Sequence, residues 1–370
     1  MRWSWRIAMV SGIPVRIHAT FVLLLVWIFG SHLARGQSLV QSLEGVVLIL
    51  AVFLCVVLHE LGHALTAKRY GVRTRDITLL PIGGIARLER IPERPSEEVA
   101  VAIAGPAVNV VIAIALGGAL ILTGGMARLA GSPAAIQGNF LAELLAINIF
   151  LVVFNLIPAF PMDGGRVLRA LLAMRFEYVR ATQIAASVGQ GFALLFALVG
   201  LVTMNPILLF IAFFVFIGAG QEAASVQWRS AFDGIPVARA MIRDFRTLRG
   251  ADPLSRAVEL LLEGHQQDFP VVGDRPGDPP IGVLVRADLL TALASGRMDR
   301  RVDEVVRRDC GVAHPREMLD VVSQRMQEGR CPAVPVVSEE GVVVGMVTLE
   351  NVGEFAMIQA ALARGTRPAA

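Results

Sequence analysis

Apolar residues in the first 228 positions run in long blocks, whereas beyond that point they come in short groups separated by charge. A membrane-spanning helix needs about 20 mostly apolar residues, because the hydrocarbon core is roughly 30 Å thick and each residue rises ~1.5 Å. Six segments fit, near 16–34, 44–66, 97–124, 138–158, 183–203 and 206–222. Arg2 and Arg6 precede the first, as in a secretion signal. Its basic lead is long, however, and no small-x-small cleavage site follows Leu33-Ala34-Arg35, so it is read as a retained helix. The last two segments meet at Asn205-Pro206, a turn without charge. The expected fold class is a multi-pass α-helical membrane protein with six transmembrane helices and a short membrane-associated β segment, followed by a soluble α/β domain.

Composition supports that division. Of 370 residues, 55% are hydrophobic and 18% charged, and the mean hydropathy is +0.61. Charged residues usually make up about 25% of a soluble domain, so a disordered chain is excluded and one soluble globule is not expected. The average conceals a seam: residues 1–228 hold 27 charges and residues 229–370 hold 38. A membrane domain over 1–228 and a soluble domain over 229–370 follow, with the boundary near Trp228-Arg229-Ser230. The net charge of +3 does not call for a nucleic-acid partner, since basic loops beside membrane helices give the same sign.

Basic residues also set the orientation. Arg2, Arg6 and Arg16 precede the first span; Lys68, Arg69, Arg73, Arg75, Arg87, Arg90 and Arg94 follow the second; Arg166, Arg169, Arg175 and Arg180 follow the fourth. The alternate loops carry only Arg35 and Arg128. Six spans then put every basic loop, both termini and the soluble domain in the cytoplasm of a multi-pass cell-membrane protein. The three cysteines, Cys55, Cys310 and Cys331, form an odd, sparse set that suits a reducing compartment rather than a disulfide framework.

The second span contains His59-Glu60-Leu61-Gly62-His63, an H-E-x-x-H motif. Spacing of i, i+4 puts both imidazoles on one helix face, where they can grip one zinc ion, with Glu60 beside them as the base for the attacking water. Ionisable groups inside an apolar span are costly and mark function. A helix starting near Glu44 would place His59 about 22 Å along it, inside the membrane. A catalytic zinc takes three protein ligands. His18 and His32 lie at the ends of the first span, and His265 and His314 in the soluble domain. Asp163 is the better third ligand, in Asn155-Leu156-Ile157-Pro158-Ala159-Phe160-Pro161-Met162-Asp163-Gly164-Gly165. Taken alone, that stretch also reads as a cytoplasmic turn.

The two motifs together resemble the site-2 protease family of intramembrane zinc metalloproteases, whose pattern is H-E-x-x-H on one helix and N-x-x-P-x(4)-D-G on another. The resemblance implies one zinc held by His59, His63 and Asp163, with Glu60 as general base and Asn155 helping to hold substrate or oxyanion. Gly105-Pro106-Ala107-Val108-Asn109 is similar to a further family motif and is expected to serve packing rather than chemistry. Asp76–Leu88 is strand-like, with Gly83-Gly84 as a flexible point. It resembles the family's membrane-associated sheet near the active site, where an exposed edge would capture extended substrate by β-augmentation.

Residues 235–296 and 302–362 repeat one order of elements and resemble a pair of cystathionine-β-synthase-type (CBS) domains. Such pairs bind adenine nucleotides, ATP or AMP, through a hydroxyl three residues before an Asp. The first repeat keeps Asp288 but has Val285; the second keeps Thr348 but has Asn351. Both half-sites are incomplete, so the pair is read either as a nucleotide sensor at Asp288 and Thr348 or as a homodimerisation or docking module. The expected activity is zinc-dependent endoproteolysis of a membrane-protein substrate in contact with lipid, regulated through the CBS pair. The alternative is a CBS-regulated cation channel or transporter.

Overall fold

Two strands stand where the sequence suggests only a basic approach to a helix. The computed structural model describes residues 3–365 apart from 90–93, 126–137, 231, 233, 276 and 297. In it β1 (Ser4–Val10) and β2 (Ile13–His18) form an antiparallel hairpin. Its turn residues, Ser11 and Gly12, have φ of 53° and 85°, the double positive φ that a tight hairpin turn with right-handed twist requires. β2 pairs in parallel with β3 (Thr74–Leu80), and β3 returns as β4 (Gly83–Leu88). The sheet order is β1-β2-β3-β4, which makes β4 an edge.

The six expected spans are all helical over most of their length: α1 (Ala19–Ala34), α2 (Leu39–Arg69), α3 (Pro95–Leu122), α4 (Phe140–Asn155), then, after the short α5 (Asp163–Ala173), α6 (Tyr178–Val202) and α7 (Pro206–Ser230). Among the described residues, four helices (α2, α3, α6 and α7) are long and apolar enough to cross a membrane; α1 and α4 have 16 residues each and are shorter. Residues 16–18, counted with the first span, belong to β2, and His18 caps α1 by accepting the Thr20 N–H through Nδ1 at 3.3 Å. The outward faces of the long helices are apolar, Ile114, Leu198 and Phe213 among them, as lipid contact requires. This is a membrane protein.

α2 begins five residues before the expected Glu44, because Ser38 and Gln41 form a reciprocal capping box that satisfies the first free N–H groups. His59 therefore lies about 30 Å from the helix start rather than 22 Å. The basic loops also need one correction. Arg169 is fully buried in α5 and paired with Glu98 and Glu222, so it is not a free loop charge. Arg16 and Arg87 both pair with Asp76. Arg2, Arg90 and Arg128 lie outside the described residues.

The chain divides into two units, Met1–Ala224 and Ser225–Ala370. In the second, the first repeat builds β5 (Leu248–Arg249), α8 (Leu254–Glu263), β6 (Phe269–Val272), β7 (Pro280–Leu284) and α9 (Arg286–Ala294). The second repeat builds α10 (Leu319–Gly329), β8 (Ala333–Val337), β9 (Val343–Thr348) and α11 (Leu349–Gly365). The repeats exchange their leading segments: Ile242 bridges to Met346 of β9, and Phe232 and Val237 pack into the core built by the second repeat.

Cys310 and Cys331 are joined in a disulfide, with Cα atoms 5.5 Å apart. This corrects the reading of the cysteines as a reduced set. Only the fold brings residues 21 apart into that geometry, one lying before α10 and the other after it. Cys55 in α2 is free and buried.

Candidate active site

Helix packing decides where the H-E-x-x-H face points. Gly62 on α2 meets α3 so closely that an added Cβ would lie 2.7 Å from the Ala104 carbonyl oxygen. Gly105 on α3 lies against both imidazoles, leaving no room for a methyl group. Small residues at such crossings let membrane helices approach closely. His59 and His63 are consequently buried at the α2–α3 contact.

Asp163 reaches them from α5. The Asn155–Met162 connection folds back on itself, and α5 starts at Asp163 directly after Met162. Gly164 and Gly165 allow this return: a Cβ on Gly165 would sit 2.6 Å from the Ala159 carbonyl carbon, and one on Gly164 would strike the Ile157 carbonyl oxygen. The result is a triangle. His59 Nε2 and His63 Nε2 are each 3.1 Å from Asp163 Oδ2 and 3.1 Å from each other.

The far side of each ring fixes which nitrogen bears the proton. His63 Nδ1 lies 2.7 Å from the Val101 carbonyl oxygen, which only accepts, so Nδ1 donates. His59 Nδ1 donates to Asn109 Oδ1 at 2.6 Å. The Asn109 amide is oriented in turn, since its Nδ2 donates to Asn148 Oδ1 at 2.9 Å. Asn148 Nδ2 donates to the Leu144 carbonyl at 2.8 Å. Neutral rings protonated on Nδ1 present lone pairs at Nε2. Two lone pairs and a carboxylate then face one another, an arrangement that repels itself unless a cation lies among them. Donors at ~2.0–2.1 Å from a tetrahedral ion stand about 3.3 Å apart, close to the edges observed. The residues fit zinc.

Glu60 projects toward the sheet. Its Oε2 accepts the Ala86 N–H of β4 at 3.2 Å, and Gly84 packs so closely that a Cβ would lie 2.9 Å from Glu60 Cγ. Gly84 thus permits close approach, a different reason from the flexibility expected of it; its neighbour Gly83 takes φ of +138° at the turn. Asn155 ends α4, half-buried, and its side chain makes no hydrogen bond to His59, His63 or Asp163.

The Gly105–Asn109 stretch does more than pack. Asn109 orients His59 and Gly105 makes room for both rings, which corrects the assignment of that motif to packing. Asn109 and Asn148 are completely buried. Asparagines in the middle of apolar spans were the available signal, because a polar side chain in lipid needs partners. Among the described residues, Asp309, Cys310 and Cys331 also cluster, but the disulfide leaves them no thiolate.

Comparison with known proteins identifies the family. The model of peptidase family M50 matches residues 47–137 and 124–198, and the CBS-domain model matches residues 237–295 and 302–355. A zinc metalloprotease of Methanocaldococcus jannaschii is 38% identical over 273 residues, 74% of this chain and 76% of its own. The chain belongs to peptidase family M50. This M50 peptidase is also 29% identical to Rip3 of Mycobacterium tuberculosis over 96% of this chain and 93% of that one. A solved site-2 protease from M. jannaschii aligns with 60% of the M50 chain and 95% of its own, at 41% identity and a TM-score of 0.44. The family models and the curated relatives make the protein a zinc metalloprotease of family M50 that carries a pair of CBS domains.

In the CBS pair of this M50 peptidase, Thr348 lines a cleft of ~350 Å³ with Asp244, His265, Asp268 and Glu350, and its hydroxyl accepts the Asn351 N–H at 3.1 Å. Asp288 is not among the residues lining it. Its carboxylate accepts from Arg307 Nε and Nη2 at 2.5 and 3.0 Å.

Proposed function

We propose that this chain is an intramembrane zinc endopeptidase that cuts a membrane-embedded or membrane-adjacent segment of another membrane protein. The observation that carries the reading is the convergence of two Nε2 atoms and one carboxylate oxygen beside Glu60, inside a unit built from apolar helices. His59, His63 and Asp163 hold the zinc. Zinc, when bound, supplies a Lewis acid that polarises a carbonyl and makes water acidic near pH 7. Glu60 takes the proton of the attacking water and delivers it to the leaving amine. The Asn155 amide, at the end of α4, is a suitable donor for the developing oxyanion.

The edge position of β4 supports a route for substrate. A helical segment must unwind before its peptide bond is accessible, and an extended segment added to β4 would lie beside Glu60, which already accepts from that strand. Six spans with both termini and the CBS pair cytoplasmic would release the product fragment into the cytosol. The CBS cleft at Thr348 is the place for an adenine nucleotide. The Asp288 half-site contributes less, because Arg307 occupies its carboxylate.

Glu60→Gln tests the central claim. Reconstituted in liposomes with a candidate membrane substrate, the variant should bind zinc at wild-type stoichiometry yet lose cleavage by about 10²–10⁴-fold. Wild-type protein that cuts no membrane substrate but carries metal ions across the bilayer would favour the transporter reading instead. Titration of the full chain with labelled ATP and AMP, against Thr348→Ala, tests the sensor.

A further inference from the structure

Arg169 is the largest side chain fully enclosed among the described residues. It lies six positions after Asp163 on α5, and its guanidinium touches four other segments. Nε donates to Glu98 Oε1 of α3 at 2.8 Å, and Nη2 donates to the same oxygen. Nη1 donates to Glu222 Oε1 of α7 at 2.6 Å. The cation also lies over two aromatic rings, 5.0 Å from the centre of Phe160 and 5.1 Å from that of Tyr178. Phe160 is three residues before Asp163. The same guanidinium therefore grips the chain on both flanks of the third ligand.

α3 is the common frame. Along one stretch of this helix, Glu98 holds Arg169, the Val101 carbonyl holds the His63 ring, and Asn109 holds the His59 ring. All three ligands are thus registered against α3, two directly and Asp163 through α5. A buried ion pair adds little net stability, because desolvation offsets the attraction. A planar guanidinium with several fixed donors does set orientation. The N-terminus of α5 has no side-chain cap and starts at Asp163 itself, so local capping does not place the carboxylate.

We propose that Arg169 is a positioning residue for the metal site: by tying α5 to Glu98, it holds Asp163 against the two imidazoles that the same helix orients. The proposal rests on the reading of His59, His63 and Asp163 as zinc ligands.

The test uses the full-length protein in detergent, stripped of metal and titrated with zinc against a chromophoric chelator, then separately with cobalt while its visible absorption is recorded. Arg169→Met that folds with wild-type helicity should bind zinc about tenfold more weakly and shift the cobalt bands; Arg169→Lys should fall between. If folded Arg169→Met keeps wild-type zinc affinity and cobalt spectrum, the proposal is overturned. The same holds if stability drops while the spectrum of the folded protein is unchanged. Should Arg169→Met not fold, Glu98→Gln decides: weaker zinc binding with shifted bands supports the role, and wild-type values overturn it. His63→Ala is the control. If it binds zinc as the wild type does, the ligand reading itself fails; if it loses zinc while the other variants match wild type, only the positioning role fails.

Discussion

The His59 and His63 rings are oriented through the atoms that face away from Asp163. Each ring gives its Nδ1 proton to an acceptor on α3, which leaves Nε2 facing the Asp163 carboxylate. Removing such a partner typically costs 10–100-fold in metal affinity. Asn109→Leu should therefore weaken zinc binding by about that factor while leaving the motif intact, measured by chelator competition. Gly105→Ala should be worse, because its methyl group would occupy the space of the His63 imidazole; zinc binding by the folded variant should be lost, and stoichiometric binding would contradict the packing argument. The histidine pair was legible because i, i+4 spacing lies within one helix. Asn109 is 50 residues from His59, and nothing local announces that pairing beyond the cost of an amide in an apolar span.

The sheet shows how elements serve the site. β4 is an edge strand whose Ala86 N–H is held by Glu60, and Gly84 lets the strand lie against α2. Gly84→Ala should displace Glu60 or lift the hairpin, since the methyl would sit 2.9 Å from Glu60 Cγ and 3.0 Å from Val56 Cγ1. The expected outcome is at least a tenfold loss of cleavage with zinc content unchanged; loss of both together would place the effect on the fold. The helices could be read from long apolar blocks, but their ends could not, as the Ser38 cap of α2 shows. The β1–β2 hairpin was not legible. Its parallel partner lies some 60 residues on (Val15 opposite Ile77), and its basic residues read equally well as a flank of the first span.

At the scale of the whole molecule, two features of the C-terminal unit bear on its stability. The Cys310–Cys331 bridge closes a loop of 21 residues, for which chain entropy gives about 3 kcal/mol. Cys310→Ser should lower the unfolding free energy of that unit by about this amount, and reductant should do the same to the wild type, read from denaturant titration of the full chain. Burial raises the Asp268 carboxyl above its ordinary 3.8. The folded state then binds this proton more tightly than the unfolded chain. The group's relative stability is fully present below pH 3.8 and is lost as pH rises through the folded value. Asp268→Asn, which keeps an acceptor for the Arg286 N–H, should raise the melting temperature at pH 7, with the gain vanishing toward pH 4. Equal melting curves at both pH values would remove the burial argument. By itself, the sequence determined what short-range regularity encodes: apolar blocks, the change in charge density near residue 228, the i, i+4 metal motif and the repeated order of the CBS pair. The tertiary structure alone decided which distant residues meet. It brought Asn109 behind His59, Arg169 to Glu98 and Glu222, and Cys310 to Cys331, whereas the meeting of Asp163 with the imidazoles was already expected from the two motifs. Those contacts depend on how helices and strands pack, at separations where periodicity carries no information.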